Sequence, residues 1–162
     1  MAGKILKEYI YEGFGFPVVL CNVPAKKIRG KWTPLVNYKA LARYVLKMIC
    51  FLQEPLTGDQ IFFIRQQLRL TGEQLAEMLG ISQAAISKWE KNRDKIAKIE
   101  PSTEFCLRII ALESIDEGSS SELRQSLMER HILGEIKEMQ KLAGFTPSPV
   151  KLEREELMEC FQ

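Results

Sequence analysis

The 162-residue chain has a net charge of only +2, and 46% of its residues are apolar, enough for a packed core. No apolar run approaches the roughly 20 residues that span a bilayer, and no signal segment is present, so we expect a cytoplasmic protein without membrane contact. The four cysteines form no close pair and there is one histidine. We therefore expect reduced thiols, no metal and no cofactor.

The charge is distributed unevenly along the chain. Residues 1–55 hold nine basic and three acidic side chains, a net charge of +6, whereas residues 56–115 are neutral and residues 116–162 have a net charge of −4. A basic front and an acidic tail favour a protein whose N-terminal side meets an anionic partner.

The N-terminal part is predicted to be an arm followed by a small β-hairpin. Residues 1–12 are expected to be a loosely held arm. The β-branched run 18–23 predicts one strand, which Pro24 is expected to end. Residues 26–32 alternate in part and predict the second strand. Arg29 and Lys31 on this strand are candidates for contact with a groove or phosphate of the anionic partner, and ordinary solvated side chains are the alternative.

The first predicted helix follows the hairpin directly. Asn37 is a typical N-cap residue, and an apolar stripe from Leu41 to Leu52 follows it at helical spacing. Pro55 is expected to end the helix.

Four further helix starts follow in close succession. Thr57 and Thr71 each precede a glutamine by three residues, which is the spacing of a capping box. Ser82 is a third cap, and the last of these helices is predicted to open at Pro101 and run to about residue 114. Gly80 is expected to stop the helix that Thr71 begins. The stretch 37–115 is therefore predicted to contain five helices.

The C-terminal part is predicted to be an extension of the helical domain. Residues 116–121 predict a linker, residues 122–143 a helix, and the remainder an acidic tail. The tail carries four crowded glutamates, a spacing that favours mutual repulsion and solubility over a positioned acid and base. They are Glu153, Glu155, Glu156 and Glu159.

The segment 75–90 has a spacing that lets two helices cross closely. Ala76 is small, and Gly80 permits a sharp left-handed turn between the helices. Apolar residues at Leu75, Ile86 and Trp89 are expected to fix the crossing angle. The side chains left outside on the second of these two helices would face a major groove, N-terminal end first. They are Gln83, Ala84, Ser87, Lys88 and Lys91.

Over residues 57–92 the chain resembles the Cro and phage-repressor type of helix-turn-helix, the XRE family. The resemblance implies double-stranded DNA as the partner, and base reading by Gln83, Ala84, Ser87 and Lys88. Ala84 has no polar group, so it offers only contact with a thymine methyl. Phosphate contacts are expected at the helix starts and in the basic segment that follows. These candidates are Thr71, Gly72, Gln74, Ser82, Lys91, Arg93 and Lys95.

These elements predict a mainly α fold with a small β part. We expect an N-terminal arm and β-hairpin (1–36), a repressor-like five-helix DNA-binding domain (37–115), and a C-terminal extension of linker, helix and acidic tail (116–162). One such domain reads only a few base pairs, so we expect a homodimer on an inverted repeat. The hairpin or, preferably, the helix at 122–143 would join the two copies. We expect a repressor that acts by occupying a promoter.

Three alternatives to this function stay open. Residues 56–65 are also similar to the opening of MqsA-type antitoxins, although the zinc-binding cysteine pairs of some members are absent. That similarity implies a second role, neutralising a toxin-type protein partner. A helix-turn-helix used only as a protein-docking module is another alternative. An enzyme is the third, but no Gly-rich phosphate loop and no nucleophile elbow occur, so we expect no catalysis.

Overall fold

The computed structural model describes residues 3–115, 120–132, 134 and 148–161. Their elements in chain order are β1 (Lys4–Tyr11), β2 (Val18–Ile28), β3 (Lys31–Pro34), α1 (Tyr38–Phe51), α2 (Gly58–Gln67), α3 (Gly72–Leu79), α4 (Gln83–Lys91), α5 (Pro101–Glu113), α6 (Ser120–Ile132), β4 (Val150–Leu152), α7 (Arg154–Leu157) and a 3₁₀ turn (Met158–Cys160). The predicted fold, with N-terminal strands, five helices over 37–115 and a C-terminal helical piece, is confirmed. In these ranges no helix combines the length and the apolar character that crossing a membrane requires.

The chain divides into two compact units. The sheet unit contains residues 1–45 and 148–162, and the helical unit contains residues 46–147. The boundary falls within α1.

All four cysteines are free thiols. Burial raises the pKa of the Cys50 thiol to about 12, so this thiol stays protonated at neutral pH.

The sheet unit is built around β2. Strand β2 pairs antiparallel with β1 and β3 and parallel with β4. Its core-facing side chains include Val18, Leu20 and Val23, all fully buried. The buried positions change from even to odd numbers near Asn22, whose φ of 54° bends the strand. The sheet therefore turns one continuous apolar surface inward despite the break in alternation.

Two expectations for the N-terminal part are wrong. The predicted loose arm contains β1, which pairs with β2 from Lys4 opposite Ala25 to Tyr11 opposite Val18. The strand was missed because the apolar and charged residues of β1 do not alternate, so the sequence lacks the period of two that marks a half-buried strand. Pro24 also does not end β2. The Pro24 carbonyl accepts the Leu35 N–H at 2.7 Å, so the backbone polar groups of Pro24 face the side of β3. The absent N–H of proline therefore removes no hydrogen bond between β2 and β1.

The C-terminal segment joins the sheet unit instead of forming only a solvated tail. Strand β4 places buried Val150 and Leu152 against β2, and Leu157 of α7 is fully buried. The Cys160 carbonyl accepts the Asn37 N–H at 2.6 Å. A strand of three residues is too short to show a period, which is why the sequence pattern missed it.

Helix α6 begins two residues before the predicted helix of 122–143, so Ser120 and Ser121 of the predicted linker are helical. Residues 116–119 of that linker, and 133 and 135–143 of the predicted helix, lie outside the described residues. Leu127 of α6 is fully buried, and Arg130 Nη1 donates to the Phe51 carbonyl at 3.0 Å. Helix α6 is thus attached to the end of α1.

A fully buried arginine closes the C-terminal end of α1. The last carbonyls of a helix have no donor within the helix, and Pro55 prevents the helix from continuing. The Arg108 guanidinium supplies the missing donors from α5. Its Nη1 bonds the carbonyls of Ile49 and Cys50 (both 3.1 Å) and Leu52 (3.0 Å), and its Nη2 bonds that of Glu54 (2.8 Å).

Glu104 balances the charge of this buried arginine. Its Oε1 lies 2.7 Å from Arg108 Nη2, one helical turn away on α5, and both side chains are almost completely shielded from solvent. The same oxygen accepts the Leu56 N–H at 3.2 Å. The pair therefore holds the end of α1, the connection to α2 and helix α5 in one arrangement.

We expect Arg108→Met to lower the free energy of unfolding by about 3–5 kcal/mol, because it leaves Glu104 buried without its partner. Urea denaturation followed by circular dichroism measures this. Arg124→Met is the control, because Arg124 pairs with Glu113 on the surface at 3.0 Å and its loss should cost at most about 1 kcal/mol. Adding Glu104→Leu to Arg108→Met should recover part of the loss. Equal losses of unfolding free energy in Arg108→Met and Arg124→Met would contradict the role of Arg108 in holding the end of α1.

Candidate nucleic-acid interface

The helix starts that the sequence predicted are present with their caps. Thr57 Oγ1 accepts the Gln60 N–H at 3.2 Å, and Gln60 Oε1 accepts the Thr57 N–H at 3.0 Å. Thr71 and Gln74 form the same reciprocal pair at 3.1 and 2.9 Å. Ser82 Oγ accepts the N–H of residue 85 at 3.2 Å and begins α4. These local bonds fix where α2, α3 and α4 start.

The turn between α3 and α4 has the predicted left-handed glycine. Gly80 has a φ of 66°, and its N–H donates to the Glu77 carbonyl at 3.2 Å. The Ile81 N–H returns to the Ala76 carbonyl at 3.0 Å, which completes a Schellman-type ending. Ala76 is buried, and Ile86 of α4 is buried as well. The turn therefore brings α4 across α3 with its apolar side inward.

An ion pair that the sequence analysis missed ties α2 to α4. Arg65 Nε donates to Glu90 Oε1 at 2.6 Å, and Nη2 donates to Oε2 at 3.0 Å, a bidentate contact. Nη1 also bonds the Leu70 carbonyl at 3.1 Å, just before α3. The hydrogen bond with the Glu90 carboxylate raises the pKa of Arg65. The two residues are 25 positions apart, so no local pattern could have shown the pair.

A close backbone contact positions the other end of α4. A Cβ placed on Gly58 would lie 2.5 Å from both the Arg93 nitrogen and the Trp89 oxygen. The Gly58 N–H donates to the Lys95 carbonyl at 3.2 Å, and the Asp59 N–H donates to the Arg93 carbonyl at 2.8 Å. The segment after α4 thus has a fixed backbone, and its carbonyls already occupy the start of α2.

The base-reading candidates lie on one exposed face of α4. Positions 83, 84, 87 and 88 are exposed, whereas Ile86 is buried and Trp89 is half-buried toward the core. The spacing of one and four residues between the exposed positions keeps them on a single side of a helix. The structure therefore brings Gln83, Ala84, Ser87 and Lys88 together.

The phosphate candidates lie around that face. A Cβ on Gly72 would lie 3.9 Å from the Gln83 Cγ and Nε2 atoms, so the start of α3 is next to the first base-reading candidate. Gly72 itself is half-buried. The remaining candidates are all exposed, namely Thr71, Gln74, Ser82, Lys91, Arg93 and Lys95.

Acidic groups modify the charge of the segment after α4. Burial raises the pKa of the Asp59 carboxyl, with Arg93 opposing the rise and Asp94 adding to it. Asp59 and Asp94 partly offset the positive charge near Arg93, whereas Lys88 and Lys91 project from α4 itself. In the part of the chain that the structure describes, no group of three metal-ligating side chains lies together.

The helix-turn-helix family model HTH_3 matches residues 62–111, from within α2 to within α5. The chain contains an XRE-type helix-turn-helix domain. It is a DNA-binding transcriptional regulator, and its partner is double-stranded DNA. The match to the XRE-type domain covers under a third of the chain and leaves the N-terminal strands outside it. Searches among curated proteins and among solved structures find no match.

We expect Gly58→Ala to destabilise the XRE-type domain by about 1–3 kcal/mol, because the added methyl meets backbone atoms that cannot move aside. Urea denaturation measures the change in the free energy of unfolding. Gly72→Ala is the matched control at the first position of the neighbouring helix, where a methyl meets only ordinary contacts. Its effect should stay within about 0.5 kcal/mol. Similar costs for both variants would show that the contact of Gly58 with α4 is not tight.

Proposed function

We propose that this regulator binds an inverted repeat as a homodimer, reads it with the exposed face of α4, and represses transcription by occupying the promoter. The observation that carries the proposal is the position of Gln83, at the exposed start of α4 and beside the start of α3. In a helix-turn-helix the base-reading end of the recognition helix and a phosphate-binding helix start occupy neighbouring positions of this kind.

Each base-reading candidate has a distinct chemistry toward the major groove. The Gln83 amide matches the donor and acceptor of adenine, and Lys88 matches the two acceptors of guanine. Ala84 offers a methyl to thymine, and the Ser87 hydroxyl accepts or donates. We assign sequence specificity mainly to Gln83 and Lys88, because the other two side chains discriminate less between bases.

The surrounding residues are assigned to the DNA backbone. At the first turn of α3, the Gly72 N–H and the positive end of the helix would face an anion. The Thr71 and Gln74 N–H groups are taken by the capping pair, so these two residues would reach phosphate through the hydroxyl and the side-chain amide. Lys91 and Lys95 add mobile cations near the end of α4, where their charge acts on phosphate without reading sequence. Ser82 and Arg93 complete this set.

A homodimer would double the few base pairs that one XRE-type domain reads. Two copies related by a two-fold axis present their recognition helices about 34 Å apart, one turn of B-DNA. Either the β-hairpin or the segment that contains α6 would join the copies. Light scattering after size exclusion would give the mass of a dimer if this is correct. We further propose that the chain acts by occupancy alone, without catalysis.

We expect a pool of random duplex DNA, selected at two salt concentrations and sequenced, to yield an inverted repeat with one-turn spacing. The selected duplex should bind more weakly as salt rises, because phosphate contacts release condensed counterions. Gln83→Ala with Lys88→Ala should weaken binding to that duplex by at least tenfold, since each lost base contact costs about 1–3 kcal/mol. Binding to random duplex should change far less.

The control variant is Gln53→Ala with Lys39→Ala, which removes the same two side-chain types from exposed positions outside the matched domain. It should bind the selected duplex like the unmodified protein. Undiminished specific binding by the α4 variant would overturn the base-reading assignment. A selected site without two-fold symmetry would overturn the homodimer.

Two sequence-based alternatives remain predictions. An antitoxin role would add a toxin-type protein partner to DNA binding, and it predicts that such a partner co-purifies and that the pair binds the chain's own promoter. A docking module predicts no selected DNA sequence and unchanged regulation after the α4 substitutions. The selection experiment therefore separates the docking module from the main proposal.

A further inference from the structure

Strands β2 and β3 continue beyond the rest of the sheet as a two-stranded ribbon. Among the described residues, β1 pairs with β2 only as far as Ala25, and β4 pairs only with positions 18–20. The pairing of β2 with β3 continues from Ala25 to the pair of Ile28 with Lys31. Residues 26–32 are all exposed. We call residues 26–33 the ribbon.

The ribbon is strongly basic. Of its eight residues four are cationic and none is acidic, the cations being Lys26, Lys27, Arg29 and Lys31. Lys26 and Lys27 are neighbours on one strand, so they project from opposite faces. Lys4 adds a fifth cation, with its Nζ 5.7 Å from the centre of the Trp32 ring. Positive charge therefore covers both faces of the ribbon and its tip.

Arg29 occupies a tip position that its side chain does not favour. The pairing of Ile28 with Lys31 leaves Arg29 and Gly30 as a two-residue loop, and both have positive φ, 47° and 83°. This is the pattern of a type I′ turn, in which Asn-Gly is the preferred pair. Arginine in a left-handed backbone conformation carries strain that asparagine would largely avoid. Arg69, Arg93 and Lys98 also have positive φ, so what distinguishes Arg29 is its exposed place at the tip of a basic ribbon.

We propose that the ribbon is a second DNA-binding element, which places Arg29 and its lysines on the duplex that the XRE-type domain binds. The proposal rests on the proposed function only in that both elements contact the same duplex. A two-stranded β-ribbon fits the major groove of B-DNA, and lysine and arginine side chains on both faces would meet the phosphates of its two walls. The ribbon adds affinity without sequence specificity.

The test is the salt dependence of duplex binding by the full chain, on the selected operator and on a random duplex. Lys26→Gln with Lys27→Gln and Lys31→Gln should lower the slope of log affinity against log salt by about 2–3, since each phosphate contact contributes about 0.9. The ratio of operator to random affinity should stay unchanged. The control, Lys7→Gln with Lys39→Gln and Arg154→Gln, removes three exposed charges from the same unit and should keep the slope.

Arg29→Asn separates the function of the tip from its structure. Asparagine suits the turn, so the melting temperature should stay equal or rise, while the salt slope should fall by about 1. An unchanged slope with an intact fold would remove Arg29 from the DNA. An equal loss of slope in the triple variant and its control would mean that net charge alone is responsible, and the ribbon would not be a site.

The α4 variant keeps this test separate from the proposed function. In a chain with Gln83→Ala and Lys88→Ala, operator preference should be lost, yet the ribbon substitutions should still lower the slope on random duplex. If the ribbon variants keep the full slope in both backgrounds, the ribbon proposal fails while base reading by α4 stands. If operator preference survives the α4 changes but the ribbon effect appears, the base-reading assignment fails alone. Absence of duplex binding by the unmodified chain at low salt would overturn both.

Discussion

The helical unit depends on the buried Arg108, which donates to four carbonyls at and beyond the end of α1 and is held there by Glu104. The same carboxylate oxygen accepts the Leu56 N–H, and the next residue is the N-cap of α2. Helix α2 in turn holds α4 through the ion pair of Arg65 and through Gly58. The position of α4 therefore depends on an interaction in which none of the base-reading candidates takes part.

A buried ion pair by itself is weak evidence for stability, because the cost of desolvating two charges is often as large as their attraction. The geometry around Arg108 differs from that simple case. An apolar pair of the same volume would remove the charges, but it would also remove a donor from each of the four carbonyls and the acceptor of the buried Leu56 N–H. The arginine is needed for its several donors in one plane, and Glu104 is needed to neutralise them and to bind Leu56.

What the sequence predicted well is what short-range chemistry determines. The caps at Thr57 and Thr71 and the turn at Gly80 each depend on atoms within five residues, and all three are present as expected. What it missed depends on distant partners. Strand β1 is stabilised by pairing with β2, and Arg65 of α2 meets Glu90 of α4 only because the intervening α3 and its turns bring the two helices together. The exposed face of α4 was predictable because helical spacing determines it. The orientation of α4 relative to α2 was not predictable, because it depends on the contacts of Arg65 and Gly58 with distant residues.

The distribution of charge gives a physical reason for the proposed second DNA-binding element. The stretch 56–115, which contains the matched domain, has no net charge, and two of its acidic residues are engaged inside the fold by Arg65 and Arg108. A domain without net charge has local cations near α4 but no overall excess of positive charge to attract phosphate, the attraction that supplies much of the affinity for DNA. The ribbon has the opposite character, since its cations are exposed and its turn presents Arg29 outward at the cost of backbone strain. Under the two proposals, sequence preference would depend on α4, while the ribbon would add affinity and sensitivity to salt to the phosphate contacts of the domain.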